Sequence, residues 1–222
     1  MKLTAIYDPA KDAENHIRAI VDAAYLTHGR VGMKEQLIAA VELKAVRTVL
    51  TKGGERNDLL DKMTTLFTKD RGRPLLEEKA RQLEAAWVRL GDQVIFQLEA
   101  LYGRDWPFEA VHIDLTTLPI CPYDYKARQI FVHAMPGTQT QLCIISHELN
   151  HFMFYWVYSK KLKEKLGRER FELLKESVTI FTNPEQTGKP NEEPLRKLYV
   201  KKRVRTLDEA VKVGVDYLID KN

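Results

Sequence analysis

Two histidines one helical turn apart constrain the fold of this chain more than any other feature. In the stretch His147-Glu148-Leu149-Asn150-His151 the imidazoles are four residues apart, with a glutamate beside the first. In an α-helix, residues i and i+4 lie on the same face, so both imidazoles would point in one direction. Such a pair can bind Zn²⁺ at about 2.0–2.1 Å and leave room for a third protein ligand and a water. The pattern therefore predicts a helix that carries part of a metal site.

The apolar residues around the histidines indicate that this helix is covered on two sides. One stripe points away from the imidazoles and comprises Leu142, Ile145, Leu149, Met153 and Trp156. A second group flanks the imidazoles and comprises Ile144, Phe154, Tyr155 and Tyr158. We therefore expect the imidazoles to open into a partly dry cleft. The alternative is that both are core histidines with hydrogen-bond partners inside the protein.

A zinc site of this kind needs a third protein ligand, and the next predicted helix offers Glu169, Glu172 and Glu176. Glu176 lies on a ridge between Leu173 and Ile180, opposite the main apolar stripe of that helix. Glu172 is expected on a solvent face, and Glu169 lies in the first turn, where a solvated carboxylate already favours the helix dipole. A buried carboxylate is unfavourable unless it is paired or binds a metal, so Glu176 is predicted as the ligand. The alternative is an ion pair between Glu176 and a nearby basic residue.

The overall composition is that of an ordinary globular protein. The 222 residues are 44% hydrophobic and 30% charged, and no run of about 18 apolar residues occurs. Charge and proline come too early between Met1 and Asp12 for a signal peptide, so we expect a cytoplasmic location and no membrane partner. Cys121 and Cys143 have no framework spacing, which favours free thiols over a disulfide.

Positive charge is concentrated toward the end of the chain. The formal net charge of the whole chain is +4, but the segment from Lys160 to Arg205 contains 14 lysines and arginines and only 7 glutamates. This region can attract an acidic partner, although a solvated basic face is the more ordinary interpretation. A nucleic-acid-binding module would rest on the cluster Lys201, Lys202, Arg203 and Arg205. Because interleaved aromatic residues and a reading helix are missing, nucleic acid ranks last among the expected partners.

The chain up to the break at residues 71–74 is predicted to be mainly helical. Lys2 to Tyr7 alternates in the manner of a short strand. Helices are expected over Lys11 to Thr27, Met33 to Thr51 and Asn57 to Phe67, the last with Asn57 as its N-cap. The strongest helix prediction runs from Pro74 to Leu101. Its apolar side is expected to comprise Leu83, Ala86, Val88, Leu90, Val94, Leu98 and Leu101.

Two strands are predicted before the histidine-bearing helix. Ala110 to Leu115 and Gln129 to Ala134 alternate with a period of two, and a proline-containing loop separates them. Thr138 and Gln141 then fit a capping box, which predicts that the histidine-bearing helix begins there.

Two more helices are predicted after it. A lysine-rich connection leads to a helix from about Gly167 to Phe181, which carries Glu176. A loop with several prolines follows and interrupts regular structure. Thr206 and Glu209 form a second capping box, which begins the last helix.

These elements and the candidate ligands resemble a known family of enzymes. His147 and His151 around Glu148, followed by Glu176 on a later helix, look like the gluzincin branch of the zincin metallopeptidases, where that glutamate is the third zinc ligand. The resemblance covers about Pro74 to Thr182. It implies an α+β, zincin-like fold in a minimal gluzincin form. Such a fold has a small mixed sheet that includes an edge strand, a long backing helix, a motif helix that carries the two histidines, and a glutamate helix that carries the third ligand. It also implies one domain over 1–222, in which 1–72 is a mainly helical extension and 74–182 is the metallopeptidase-like core.

The same resemblance implies zinc-dependent hydrolysis of a peptide or protein substrate. Zn²⁺ would lower the pKa of its water to about 7, and Glu148 would act as general base. No histidine follows His151, so the donor that stabilises the transition state is expected from another residue type. Tyr158, two turns beyond His151, is the candidate, with Tyr155 and Tyr199 as alternatives.

Two further questions stay open at the level of sequence. The strand from Gln129 to Ala134 would hold an extended substrate beside the cleft, or it is an ordinary sheet edge. The chain would be an active peptidase, or a non-catalytic, zinc-stabilised interaction or regulatory protein of the same fold.

Overall fold

The computed structural model describes residues 1–22, 33–182 and 190–220, which form an α+β protein. The strands are β1 (Lys2–Ile6), β2 (Ala110–Thr116), β3 (Tyr123–Asp124) and β4 (Gln129–His133). The helices are α1 (Pro9–His16), α2 (Met33–Ala40), α3 (Lys44–Lys52), α4 (Arg56–Lys69), α5 (Arg73–Tyr102), α6 (Thr138–Ser177), α7 (Glu193–Lys201) and α8 (Leu207–Asp220). A π-helical segment, Ile17–Val21, continues α1, and a 3₁₀ segment, Val178–Phe181, continues α6. The α+β class predicted from the sequence is confirmed.

The described strands form one mixed sheet in the order β1-β2-β4-β3. β1 and β4 both run parallel to β2, whereas β3 is antiparallel to β4. The central strand β2 has neighbours on both sides, and its residues Val111, Ile113 and Leu115 are fully buried. The strand predicted over Lys2 to Tyr7 is confirmed as β1, and it belongs to the same sheet as the later strands.

The prediction that Gln129 to Ala134 is an edge strand is wrong. The two-residue strand β3 pairs with the beginning of β4 on its outer side. Beyond that pairing, the N–H of Phe131 donates to the carbonyl of Pro122 (2.8 Å) and the N–H of His133 to Cys121 Sγ (3.2 Å). A strand of two residues has no detectable period, so the sequence did not reveal it. A peptide added to this side of β4 would have to displace residues 121–124.

The contacts of the chain divide it into two compact units. The sheet unit comprises Lys2–Arg89 and Glu109–Ile144. The helical unit comprises Met1, Leu90–Phe108 and Ile145–Asn222. The organisation expected from the sequence, one domain with an extension at 1–72 and a core at 74–182, stays a prediction. Part of the expected extension nevertheless belongs to the sheet, because β1 pairs with β2.

Helices α1 to α4 build a hydrophobic core within the sheet unit. Asp8 caps α1, because its side chain accepts the N–H of Ala10 (2.8 Å), and Pro9 fills the first helical position, where a missing N–H does no harm. The core comprises Ala13, Ile17, Ala19, Ile20, Leu37, Val41, Val46, Leu50, Leu59, Met63, Phe67 and Leu118. Since Leu118 follows β2, these helices pack against the strand region of their unit.

Three helix predictions in this unit need correction. The helix predicted to end at Thr27 is irregular from Ile17, and its predicted end lies outside the described residues. The helix predicted over Met33 to Thr51 is two helices, α2 and α3. Between them, the carbonyl of Val41 accepts a hydrogen bond from the Arg47 side chain (2.7 Å), whereas in a continuous helix it would accept one from a backbone N–H. Asn57 is not an N-cap, since α4 already begins at Arg56.

Helix α5 confirms the strongest helix prediction, but its apolar side is narrower than expected. Leu83, Ala86 and Leu98 are buried, whereas Val88 is 79% and Leu90 39% exposed. Ala86 and Val88 are two residues apart and therefore lie about 200° from each other around the helix, so one buried stripe does not include both.

Helix α6 is two helices that meet at Gly167. This glycine has φ 72° and ψ 175°, a conformation essentially restricted to glycine. After it the chain runs back along itself, because Phe154 contacts Phe171 and Tyr155 hydrogen-bonds Glu172. The lysine-rich segment before Gly167 is helical and is not the connection that the sequence predicted.

The two predicted capping boxes have different outcomes. Gln141 does not reach back to the helix start, since its side-chain amide donates to the carbonyl of His133 (3.1 Å) and so ties α6 to β4 within the sheet unit. The second box is confirmed: the N–H of Glu209 donates to Thr206 Oγ1 (3.3 Å), and Glu209 accepts the N–H of Thr206 (3.4 Å).

Helix α7 lies where the sequence predicted irregular structure. Residues 183–189 of that predicted loop lie outside the described residues, but Pro194 occurs in the first turn of α7, where proline is tolerated. The basic cluster Lys201, Lys202, Arg203 and Arg205 is exposed at the end of this helix.

Two expectations about the whole chain can be compared with the described residues. Cys121 and Cys143 are free thiols, as predicted. Among the helices of the described ranges, none is both long enough and apolar enough to cross a membrane.

Helix α8 packs so closely in the helical unit that only glycine fits at position 214. A Cβ on Gly214 would overlap the Leu174 side chain and come within 2.9 Å of the Tyr199 hydroxyl. We expect Gly214→Ala to lower the stability by about 1–2 kcal/mol, because overpacking exceeds the gain in helix propensity. Thermal unfolding should show a melting temperature lower by about 2–4 °C per kcal/mol. Gly137→Ala is the control, since nothing lies within 4 Å of its Cβ position, and equal effects in both variants would contradict the prediction.

A buried carboxylate ties α1 to β2 in the sheet unit. Asp12 is fully buried and accepts hydrogen bonds from Thr116 Oγ1 (2.7 Å) and from the N–H and hydroxyl of Thr117 (3.0 and 2.9 Å). Burial alone would raise the pKa of Asp12, but His16 and the two threonines outweigh it and lower that pKa. The carboxylate is therefore stabilised in its charged form.

This carboxylate should make the stability depend on pH. Because the pKa of Asp12 is lower in the folded than in the unfolded protein, its stabilisation is complete above the ordinary aspartate pKa and is lost as the pH falls through the folded pKa. Between about pH 6 and about pH 3, the free energy of unfolding from denaturant titrations should therefore fall more steeply for the parent than for Asp12→Asn. The exposed Asp61→Asn serves as control and should follow the parent. Parallel curves for parent and Asp12→Asn would contradict the assignment.

Candidate metal centre

The first half of α6 carries both histidines on one face. The rings of His147 and His151 are 4.4 Å apart between centroids and nearly perpendicular, at 79°. The His151 side chain is 2% exposed and that of His147 is 13% exposed. On the opposite stripe Ile145, Leu149 and Met153 are fully buried, although Trp156 is 42% exposed. The imidazoles are thus held by a helix with a buried opposite face, and they have little contact with water.

Glu176, on the second half of α6, faces both imidazoles. Its Oε1 lies 3.4 Å from Nε2 of His151, and its Oε2 lies 3.9 Å from Nε2 of His147. One ligand atom from each of the three residues lies within 4.8 Å of the others. The reversal of the chain at Gly167 makes this possible, because it turns the later helix back toward the histidines. The structure therefore brings together the three residues that the sequence predicted as ligands.

The geometry of these three residues fits a zinc ion. Ligand atoms about 2.0–2.2 Å from a tetrahedral ion lie about 3.3–3.6 Å from one another. The Glu176–His151 distance of 3.4 Å is within this range, and the Glu176–His147 distance of 3.9 Å is slightly above it. Two imidazoles and one carboxylate are also a donor set that catalytic zinc sites use, with one position left open.

Glu148 lies beside the three candidate ligands. It is 8% exposed, and its Oε2 lies 4.0 Å from Nε2 of His151. A carboxylate at this distance can reach a reacting group at the ion through one water. The position agrees with the role of general base, in which the carboxylate does not bind the ion.

Lys175 is a neighbour of Glu176 that the sequence analysis missed. It is 3% exposed, and its Nζ lies 2.9 Å from Glu172 Oε2 and 3.2 Å from Glu176 Oε1. Glu172 was predicted to lie on a solvent face, but Lys175 and Thr179, which share that face of the helix, are buried. A signal was present, because Lys175 comes one turn after the buried Phe171.

The ion pair and the metal ligand were alternatives for Glu176, and the geometry accommodates both. A carboxylate has two oxygens with several acceptor positions, so it can accept from Lys175 and still face an ion. Burial opposes the charge of Lys175, but Glu176 and Glu172 outweigh this effect and raise the pKa of Lys175. Lys175 is therefore a positively charged donor at neutral pH.

Helix α7 anchors the end of the glutamate helix. The hydroxyls of Ser177 and Tyr199 are hydrogen-bonded (2.9 Å). Arg196 donates to Thr179 Oγ1 (3.0 Å) and more weakly to the carbonyl of Glu176 (3.4 Å). Because both contacts come from beyond residue 190, the orientation of Glu176 depends on α7 as well as on α6.

The three tyrosines considered as transition-state donors already make other hydrogen bonds. Tyr158, the candidate, donates to Asp208 (2.7 Å), and burial together with this carboxylate raises the pKa of Tyr158. Tyr155 donates to Glu172. Tyr199 contacts Ser177, and burial raises its pKa to about 12. Metal binding by the cluster does not need any of these hydroxyls, and a catalytic role for Tyr158 stays a prediction.

A groove lies along the helical unit next to the histidine-bearing segment. Its volume is about 420 Å³, within the range of ligand sites in proteins. It is lined by Val94, Phe96, Gln97, Leu98, Ala100, Leu101, Ser146, Phe181 and Thr182. Ser146 directly precedes His147, but His147, Glu148, His151 and Glu176 are not among the residues that line the groove.

The chain has no significant match among known protein families, curated proteins or solved structures. The resemblance to the gluzincins therefore stays a prediction from the residues His147, Glu148, His151 and Glu176.

The cluster predicts which residues bind zinc. We expect His151→Ala and Glu176→Ala to lose most of the zinc that the parent retains, because each variant lacks one zinc ligand. Removing only the hydrogen-bond partner of a ligand lowers metal affinity by about 10–100-fold, and removing the ligand itself should lower it further. Metal analysis of the purified proteins tests this. Glu169→Ala is the control, an exposed glutamate on the same helix, and should keep its zinc. If only His151→Ala loses zinc, the third ligand is a different residue.

Proposed function

We propose that this chain is a zinc-dependent metallopeptidase of the gluzincin type, with His147, His151 and Glu176 as zinc ligands. The observation that carries the proposal is the convergence of two imidazole nitrogens and one carboxylate, all within 4.8 Å, although Glu176 is 25 residues after His151. Residues this far apart meet in a partly buried position only if the tertiary structure favours it.

The charges around the cluster support a divalent cation. Glu148, Glu172 and Glu176 contribute three carboxylates, and Lys175 contributes one ammonium group. With neutral imidazoles these groups have a formal charge of −2, which a dication balances. Like charges that are partly withdrawn from water are unfavourable when they lie close together, so a zinc ion would account for the grouping.

When bound, Zn²⁺ would act as a Lewis acid and lower the pKa of water at the site to about 7. Glu148 would accept the proton of the attacking water and pass it to the leaving amine. Its low exposure would keep the carboxylate among few waters, where electrostatic interactions are stronger than in bulk solvent.

A peptide is the substrate class that the four site residues imply through their resemblance to the gluzincins, and the groove on the same helix is compatible with it. The groove beside Ser146 is mainly apolar, with Gln97, Ser146 and Thr182 as its polar residues. A space of this kind suits an apolar side chain next to a scissile peptide bond. The backbone of the substrate would need a binding partner other than the outer side of β4, since residues 121–124 already hydrogen-bond there.

Glu148→Gln tests the catalytic part of this proposal. The amide has nearly the same shape but cannot accept a proton, so the variant should fold, keep its zinc and lose about 10²–10⁴-fold in kcat. The measurement combines metal analysis with turnover of a quenched-fluorescence peptide library, and Glu169→Gln is the control for an exposed glutamate. Cleavage by Glu148→Gln at the parent rate would contradict the assignment of the base.

The same experiment separates the alternative function. A parent protein that binds zinc and gains thermal stability from it, but cleaves no peptide of the library, would be a zinc-stabilised interaction or regulatory protein. A parent that binds no zinc would exclude both functions.

A further inference from the structure

Lys175 occupies an unusual position for a lysine. It directly precedes Glu176, and its side chain is almost completely buried within the helical unit. Lysine is rarely buried unless it is paired, and here two carboxylates surround its ammonium group at 2.9 and 3.2 Å. One of them, Glu176, is a proposed zinc ligand, so the lysine lies next to the proposed metal site.

The interactions around Lys175 form a closed chain between the two halves of α6. Tyr155, one turn after His151, donates its hydroxyl to Glu172. Glu172 binds Lys175, Lys175 binds Glu176, and Glu176 faces His151 again. The first three steps are hydrogen bonds or ion pairs between partly or fully buried groups, and the last is an approach of 3.4 Å between Glu176 Oε1 and His151 Nε2. The chain therefore limits the orientations that the Glu176 carboxylate can adopt.

An ammonium group donates hydrogen bonds and accepts none. Lys175 can therefore hold Glu176 only by donating to one of its oxygens, which is the contact seen with Oε1. Without this donor, Glu172 and Glu176 would be two like charges one helical turn apart, and their repulsion would turn them toward solvent. An ammonium group also repels a dication, so orientation and repulsion have opposite effects on zinc affinity.

We propose that Lys175 is a positioning residue of the zinc site, which holds Glu176 toward both imidazoles, and that this orientation outweighs the repulsion between the ammonium group and the ion. The inference rests on the proposed function. Lys175 acts through Glu176, because its ammonium group contacts that carboxylate at 3.2 Å and is held by Glu172 at 2.9 Å.

The test is the zinc affinity of Lys175→Met, measured by competition with a chromophoric chelator. Methionine keeps an unbranched side chain but removes the charge and the donors. Loss of a hydrogen-bond partner of a metal ligand lowers affinity by about 10–100-fold, and we expect a loss of this size. Circular dichroism should show the same helix content as in the parent.

Lys163→Met is the matched control. Lys163 is exposed, and its ammonium group also lies over the Tyr155 ring, 4.3 Å from the centroid, but it makes no described contact with Glu176. Its replacement should change zinc affinity by no more than about twofold. Lys175→Arg should recover much of the affinity lost in Lys175→Met, because arginine keeps the charge and the donors.

The outcomes separate this inference from the proposed function. If the parent binds zinc and Lys175→Met binds it as tightly or more tightly, the positioning role is wrong and the zinc site stands. If the parent binds no zinc, both are wrong. Should Lys175→Met fail to fold, Glu172→Gln keeps the lysine but removes one of its anchors, and it should weaken zinc binding in the same direction. Unchanged affinity in that variant would also overturn the inference.

Discussion

The approach of one carboxylate to two imidazoles is the constraint on which the proposed metal site depends. Glu176 would repel Glu148 and Glu172 if nothing balanced their charges, and Lys175 contributes one positive charge beside Glu172 and Glu176. In the proposed function, the surrounding structure holds these side chains together and a divalent cation would reduce their repulsion. The helices α7 and α8 contribute to this, because they hold the segment that ends in Glu176.

Gly167 is the residue that makes the contact possible. An uninterrupted helix of 40 residues would place Glu176 about 38 Å along the axis from His151, at 1.5 Å per residue. The left-handed glycine reverses the chain, and aromatic contacts such as Phe154 with Phe171 then hold the two halves together. The proposed metal site and the fold of the helical unit thus share one conformational requirement, a backbone geometry that residues with a Cβ rarely adopt.

Several features were predictable because they arise from neighbours in sequence. The helix of the two histidines, the long helix α5, the strands β1 and β2 and the cap at Thr206 all follow from local spacing. Glu176 was distinguishable from Glu169 because its apolar neighbours already indicated the buried side of a helix. The same reasoning predicted that Glu172 lies on a solvent face, because basic residues are near it in the sequence. In the structure, Glu172 instead contacts the buried Lys175 and the hydroxyl of Tyr155.

Sequence alone determined the chemistry that this chain offers: two imidazoles and a carboxylate on one turn of helix, a second carboxylate downstream and a glycine between them. These follow from residue identity and helical period, which act over a few residues. Tertiary structure decided what those groups meet. It buried Lys175 between two glutamates, directed the Tyr158 hydroxyl to Asp208 and covered the outer side of β4 with residues 121–124. Such contacts join residues distant in the chain, and their free energies depend on burial and on partners that no local pattern contains.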